Sequence, residues 1–137
     1  MSLFLLDTNT VSFAIKGHFG VDAHLLDLAP TGWCISAVTC SELLYALERR
    51  PEATKLRHLV HGFLKAARVM PWDLHAAAQH ARVRHQLKAV GTPIGDFDEM
   101  IAGHALALGA IVVTDNERHF GRVEGLKMVN WAREENA

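Results

Sequence analysis

Two short apolar runs in this chain end abruptly on acid or amide side chains. Leu3-Phe4-Leu5-Leu6 runs straight into Asp7-Thr8-Asn9, and Ile111-Val112-Val113-Thr114 runs into Asp115-Asn116. Runs of that length, separated by helical patterns, read as buried strands of a parallel sheet. In such a sheet the carboxyl ends of sequence-distant strands meet along one edge, and ligands bind there. Carboxylates gathered at one edge repel one another unless a cation joins them. Oxygen ligands suit Mg²⁺ or Mn²⁺. A hard ion in a carboxylate cluster points to phosphoryl chemistry, above all cleavage of a nucleic-acid backbone.

The rest of the chain supplies the partners for those strands. Residues 3–6, 33–37, 69–70, 111–114 and 126–129 read as five short strands. Helical patterns are expected from residue 7, 8 or 9 towards Gly17, over 21–29, from about Thr39 to Arg50, over 52–67, over 73–90, and from Asp96 or Phe97 to Leu108, with a short turn at 116–120. Pro51, Gly91 and Gly109 stand where helices should stop. Strands alternating with helices predict a three-layer α/β/α arrangement around a central parallel sheet of about five strands. The 137 residues, half of them hydrophobic, suffice for one domain over 1–137 with a real core.

Composition narrows the class further. No apolar stretch approaches the roughly 18 residues that span a bilayer. The segment Met1-Ser2-Leu3-Phe4-Leu5-Leu6-Asp7 has no basic leader and does not read as a signal peptide. Cys34 and Cys40 are the only cysteines, and a domain with this core needs no bridge between them. A reduced, cytoplasmic protein is the expectation. The net charge of −1 hides an asymmetry: residues 49–88 carry nine Lys or Arg against two acids. That segment is either a set of solvated helix faces or a basic flank for a phosphate backbone. The nine histidines include His58-x-x-His61, but no His-Glu-x-x-His pattern occurs.

Each candidate acid has a plainer reading beside the functional one. Asp7 can simply cap the helix that follows. Thr39-x-x-Glu42 fits a capping box, so Glu42 is a cap or a metal ligand on spacing alone. Asp96 and Glu99 also fit an Asp-x-x-Glu capping pattern, which leaves Asp98 over for another purpose. Asp98 shares a helical face with Ile101, Ala102 and Ala105, and a carboxylate heading a buried face is costly unless paired. A later helix start would instead make Asp98 the cap and Asp96 a loop acid. Asp115, Asn116 and Ser36 can be ordinary turn residues.

Four blocks, in order, carry a resemblance. They are Leu5-Leu6-Asp7-Thr8-Asn9; Ile35-Ser36-Ala37-Val38-Thr39-Cys40-Ser41-Glu42-Leu43-Leu44-Tyr45-Ala46; Pro93-Ile94-Gly95-Asp96-Phe97-Asp98-Glu99-Met100-Ile101-Ala102-Gly103-His104-Ala105; and Val113-Thr114-Asp115-Asn116-Glu117-Arg118-His119-Phe120. Together they resemble the PIN-domain ribonucleases, specifically the VapC-type toxins of bacterial toxin–antitoxin pairs. The resemblance implies a Mg²⁺- or Mn²⁺-dependent endoribonuclease in which Asp7, Glu42 and Asp98 match the metal-binding acids. The fourth acid of the pattern falls on Asn116, which departs from it, and Asp115 is a candidate to compensate. Thr8, Asn9, Thr114, Asp115 and Asp96 are the auxiliary candidates around that site. The resemblance also implies a homodimer, a VapB-like antitoxin as partner, and a structured RNA substrate such as tRNA or ribosomal RNA. The most similar subgroup acts on the anticodon loop of initiator tRNA.

Two other classes place acids at strand ends. A small metal-dependent phosphatase of the haloacid-dehalogenase type wants Asp-x-Asp after the first strand, where this chain has Asp7-Thr8-Asn9. A receiver domain wants paired acids at that tip as well as a lysine near the last strand; Lys127 is present, the paired acids are not. A non-catalytic RNA- or partner-binding scaffold would have lost the acids at positions 7, 42 and 98.

Overall fold

The computed structural model describes residues 2–135. Five strands form one sheet: β1 (Phe4–Leu6), β2 (Trp33–Ser36), β3 (Val69–Met70), β4 (Ile111–Val113) and β5 (Met128–Val129). All pairings are parallel and the order is β3-β2-β1-β4-β5. The first three strands add in one direction, and β4 then crosses to the other side of β1. The direction of winding therefore reverses between β1 and β4, and a crevice opens there at the carboxyl edge. Asp7 and Thr114 are the residues that follow those two strands.

Parallel strands need covering on both faces, and the pleat supplies the two sets of side chains. Leu5, Cys34 and Val112 point into one layer, with Val83, Leu87, Ile101, Ala102 and Ala105. Leu6, Ile35 and Val113 point into the other, with Val11, Leu43, Leu47 and Val60. The first layer is made by α5 (Leu74–Ala89) and α6 (Asp96–Leu108), and the second by α1 (Thr8–Lys16), α3 (Ala37–Arg49) and α4 (Thr54–Ala66). Short helices α2 (Val21–Leu26) and α7 (Glu117–Phe120) complete the connections. Both cysteines are free, and no described helix is long and apolar enough to cross a membrane.

The layering divides the basic segment 49–88. Helix α4 lies on one face of the sheet and α5 on the other, so their cations do not form one flank. Of the two readings left open for this segment, the layering favours separate helix faces. Periodicity along the chain cannot show which layer a helix joins.

Several element boundaries also differ from the sequence expectation. The second strand stops at Ser36, because its Oγ accepts from the Val38 amide at 3.1 Å and caps α3. Helix α3 thus begins two residues before Thr39, and the Thr39–Glu42 capping box does not form. Helix α6 begins at Asp96 with Gly95 as its cap, at φ 101° and without a side-chain bond. The Asp96–Glu99 capping pair is likewise absent: Asp96 is exposed near Arg84, and Glu99 is buried. The last strand covers only Met128–Val129. A helix α8 (Trp131–Glu135) and a 3₁₀ turn (Pro30–Gly32) were not foreseen. Trp131 is buried and stacks on His24, with ring centroids 4.9 Å apart. Contacts this distant leave no mark on local periodicity.

Helices α5 and α6 pack so closely that glycine is required at one point. A Cβ on Gly103 would stand 2.6 Å from the His80 backbone. Among the described residues, the two buried side-chain atoms lacking a hydrogen-bond partner, His80 Nε2 and Glu99 Oε1, both belong to these two helices.

Candidate active site

Asp7 follows β1 directly and caps α1. Its Oδ1 accepts from the Thr10 amide at 2.9 Å, and it is only 3% exposed. The Thr10 hydroxyl donates across to the Val113 carbonyl at 3.0 Å, which pins this helix start to the end of β4. The cap reading of Asp7 is thus correct, and a single cap bond to Oδ1 does not exclude a site role. Burial pushes the Asp7 carboxyl above its usual range. Hydrogen bonds from Thr114 and Thr10 pull it back, and the charge of Asp98 raises it again.

Glu42 sits on the second turn of α3, partly buried. Thr8 Oγ1 lies 2.6 Å from Glu42 Oε1 and 3.1 Å from Thr39 Oγ1. Thr8 has one hydroxyl proton, which goes to the carboxylate; the Thr39 proton then serves the longer contact. Burial raises the pKa of Glu42, the Thr8 bond lowers it, and Asp98 raises it again. Asp98, near the start of α6, is therefore felt by both other acids, and the fold brings these three residues into one electrostatic neighbourhood.

Asp98 is held from the fourth side of the crevice. Its Oδ2 lies 3.4 Å from Asn116 Nδ2 and 3.3 Å from His119 Nδ1, and these two nitrogens are 2.8 Å apart. One proton cannot serve all three contacts, so the ring either accepts from Asn116 or donates to Asp98. His119 was not among the sequence candidates. The signal that could have found it is the Asn116-x-x-His119 spacing, which sets the side chain of the α7 cap beside one from the helix itself.

The auxiliary candidates divide. Thr8 and Thr114 lie among the acids, and Thr114 Oγ1 also accepts from the Asn116 amide at 2.8 Å. Asn9 is exposed on the first turn of α1. Asp96 turns towards Arg84 Nη1 at 3.9 Å, on α5. Asp115 is exposed and accepts from Asn130 Nδ2 at 2.8 Å, so it is engaged with the start of α8 rather than with the acids.

Among the described residues, no three His, Cys, Asp or Glu side chains lie at a spacing that would hold an ion as they stand. Each acid is instead turned onto its own donor: Asp7 onto Thr10, Glu42 onto Thr8, Asp98 onto Asn116 and His119. The donor chemistry nevertheless fits a hard divalent ion. One buried and one partly buried carboxylate, each raised further by a third, lack positive charge, and their partners are neutral hydroxyls and amides that an ion can displace. Beside them opens a cavity of about 730 Å³, lined by Thr8, Glu42, Tyr45, Arg49 and Phe97 among others.

Comparison with known proteins bears on what this edge belongs to. The PIN domain model matches residues 4–126. The chain belongs to the PIN domain family. Within that family its relatives are VapC proteins. It is 37% identical over 131 residues to a protein of Salmonella typhimurium named tRNA(fMet)-specific endonuclease VapC, covering 96% of this chain and 99% of that one. A protein of the same name from Shigella flexneri is 38% identical over 132 residues, covering 96% and 100%. Solved PIN structures agree. The DNA-bound VapBC of S. typhimurium superposes with a TM-score of 0.85 at 37% identity, over 96% of this chain and 99% of that one. VapBC2 of Rickettsia felis, bound to a promoter DNA fragment, gives 0.87 at 27%, over 94% and 98%.

Proposed function

We propose that this chain is an endoribonuclease toxin of the VapC type, and that residues 1–137 act as one nuclease domain. The observation that supports the reading is that the charge of Asp98 is felt at both Asp7 and Glu42, acids carried by three separate elements. Burial and mutual charge raise Asp7 and Glu42, which leaves the cluster short of a cation. Asp7, Glu42 and Asp98 would hold Mg²⁺ or Mn²⁺, which supplies charge neutralisation at the phosphate and activation of water.

The chain's own residues do the rest. Thr8 and Thr39 fix the Glu42 carboxylate, while Thr10 and Thr114 fix Asp7. Asn116 and His119 orient Asp98, and such partners aim the acids as outer groups do in metal sites. A carboxylate of the cluster accepts the proton of the attacking water. The 2′-hydroxyl takes no part, so products carry 5′-phosphate and 3′-hydroxyl ends. Relatives named for tRNA(fMet) support initiator tRNA as the substrate, since a single-stranded anticodon loop suits an open crevice better than duplex. Neighbours solved as VapBC complexes support a VapB-like antitoxin as partner. A homodimer in the cytoplasm completes the reading.

The test is cleavage of end-labelled initiator tRNA with Mg²⁺, with Mn²⁺ and with EDTA, using Asp7→Ala as the control. Cleavage is expected only with metal and only in the unmodified chain. Recovery of 2′,3′-cyclic phosphate ends would overturn the mechanism.

A further inference from the structure

The wall of the cavity beside Glu42 includes two aromatic rings, Tyr45 and Phe97, and one cation, Arg49, which the acids do not need. Glu42, Tyr45, Ala46 and Arg49 line it from α3 at i, i+3, i+4 and i+7, so one stripe of that helix faces the hollow. Tyr45 is 63% exposed and Phe97 54%. Exposed aromatic surface gathered in a concave site marks a place where something binds. The Arg49 guanidinium lies 5.0 Å from the Tyr45 ring centroid, which sets a positive charge at the end of the stripe away from Glu42. The backbone positions of Glu42 and Arg49 are about 10 Å apart along the helix, at 1.5 Å per residue.

Phe97 is the more informative ring. It is the second residue of α6, immediately before Asp98, so its position is tied to the backbone that carries this acid. Phe97 and Ser41 also line a second hollow of about 240 Å³, backed by Trp72 and Met100. Phe97 thus forms part of the wall between two hollows. An accessible ring, a neighbouring cation and flanking hydroxyls form a stacking platform with a phosphate contact.

We propose that the larger cavity takes one unstacked nucleobase of the RNA strand, next to the cleaved bond, stacked on Phe97, with Arg49 on the adjoining phosphate. The proposal rests on the ribonuclease reading and names how that site grips its substrate. Single-stranded RNA is recognised by bases splayed onto aromatic side chains, and a loop offers such bases at little unstacking cost. A base held against the residue before Asp98 places the neighbouring phosphate at the acids.

The test uses an anticodon stem–loop of initiator tRNA and the same hairpin made abasic at one loop position at a time. Phe97→Ala and Phe97→Leu should raise KM about tenfold while kcat stays within about threefold, as loss of one stacked base predicts. Phe97→Tyr should restore KM. Removing the base beside the cut should cost the unmodified chain the same factor and cost Phe97→Ala nothing more. Arg49→Ala should raise KM and lower the salt slope by about one. The exposed position of Phe97 predicts unchanged melting, which is checked by circular dichroism.

Cleavage that persists with KM unchanged in Phe97→Ala overturns the base site and leaves the ribonuclease reading standing. So does an abasic penalty equal in both proteins. If Phe97→Ala keeps its KM but escapes inhibition by a VapB-like antitoxin, the surface belongs to a protein partner and the proposal fails. A folded chain that cuts no hairpin with metal present removes the ribonuclease reading itself.

Discussion

The Thr8 hydroxyl and the Glu42 carboxylate are bonded at 2.6 Å across 34 residues of sequence. The bond ties the start of α1 to the second turn of α3, and it is one of the forces that keep Glu42 ionised. Thr8→Val removes the donor and keeps the shape. Its cleavage rate should fall roughly 10–100-fold, the usual cost of losing a group that orients a metal ligand. The loss should be greatest at low pH, because Glu42 without its donor stays protonated to a higher pH. Thr8→Ser should retain most of the rate. A pH–rate profile for Thr8→Val that matches the unmodified chain would refute this role.

Asp7 predicts a stability effect of opposite sign to its catalytic one. Its folded pKa is raised, so ionisation is easier in the unfolded chain, and stability decreases as pH rises through that range. Asp7→Asn removes the charge and keeps an acceptor for the Thr10 amide. In EDTA at pH 7.5 the variant should melt several degrees above the unmodified chain; about 1 kcal/mol is worth about 4 °C at this length. Mn²⁺ should raise the melting temperature of the unmodified chain and leave Asp7→Asn nearly unmoved. Cleavage by the variant should be lost. Equal melting points in EDTA would show that the buried charge costs nothing.

His104 sets an acid limit on the fold. It is 1% exposed, and its Nδ1 lies 2.8 Å from Ser36 Oγ. Burial lowers its pKa, against the opposing pull of Asp73 and a bond to the Pro71 backbone. A depressed base contributes stability that is whole above the unfolded value of about 6.5 and is lost as pH falls below it. Urea midpoints should therefore drop between pH 6.5 and 5 in the unmodified chain. His104→Gln should flatten that slope, and parallel slopes would count against the assignment.

Gly103 tests the packing behind the site. Gly103→Ala puts a Cβ 2.6 Å from the His80 backbone, so α5 and α6 must separate. Overpacking of this kind costs about 1–3 kcal/mol. Denaturant unfolding should show that loss with little change in m-value. A neutral substitution would mean that the two helices slide freely.

Local chemistry made much of this protein legible from its sequence. Short apolar runs, and Gly17 and Gly109 at left-handed helix stops, yielded the five strands and six of the helices, and polar residues after the strands marked Asp7 as a helix cap. These signals lie within a few residues of what they determine. The tertiary structure decided what depends on distant neighbours. Ser36 took the cap expected of Thr39; Asp115 went to Asn130, and Asp96 to Arg84. His119 joined Asp98 across 21 residues. The basic helices separated onto opposite faces of the sheet, because each followed its own apolar stripe into a different layer. A hydrogen bond or a layer assignment is settled by which surfaces meet, and no periodicity along the chain records that.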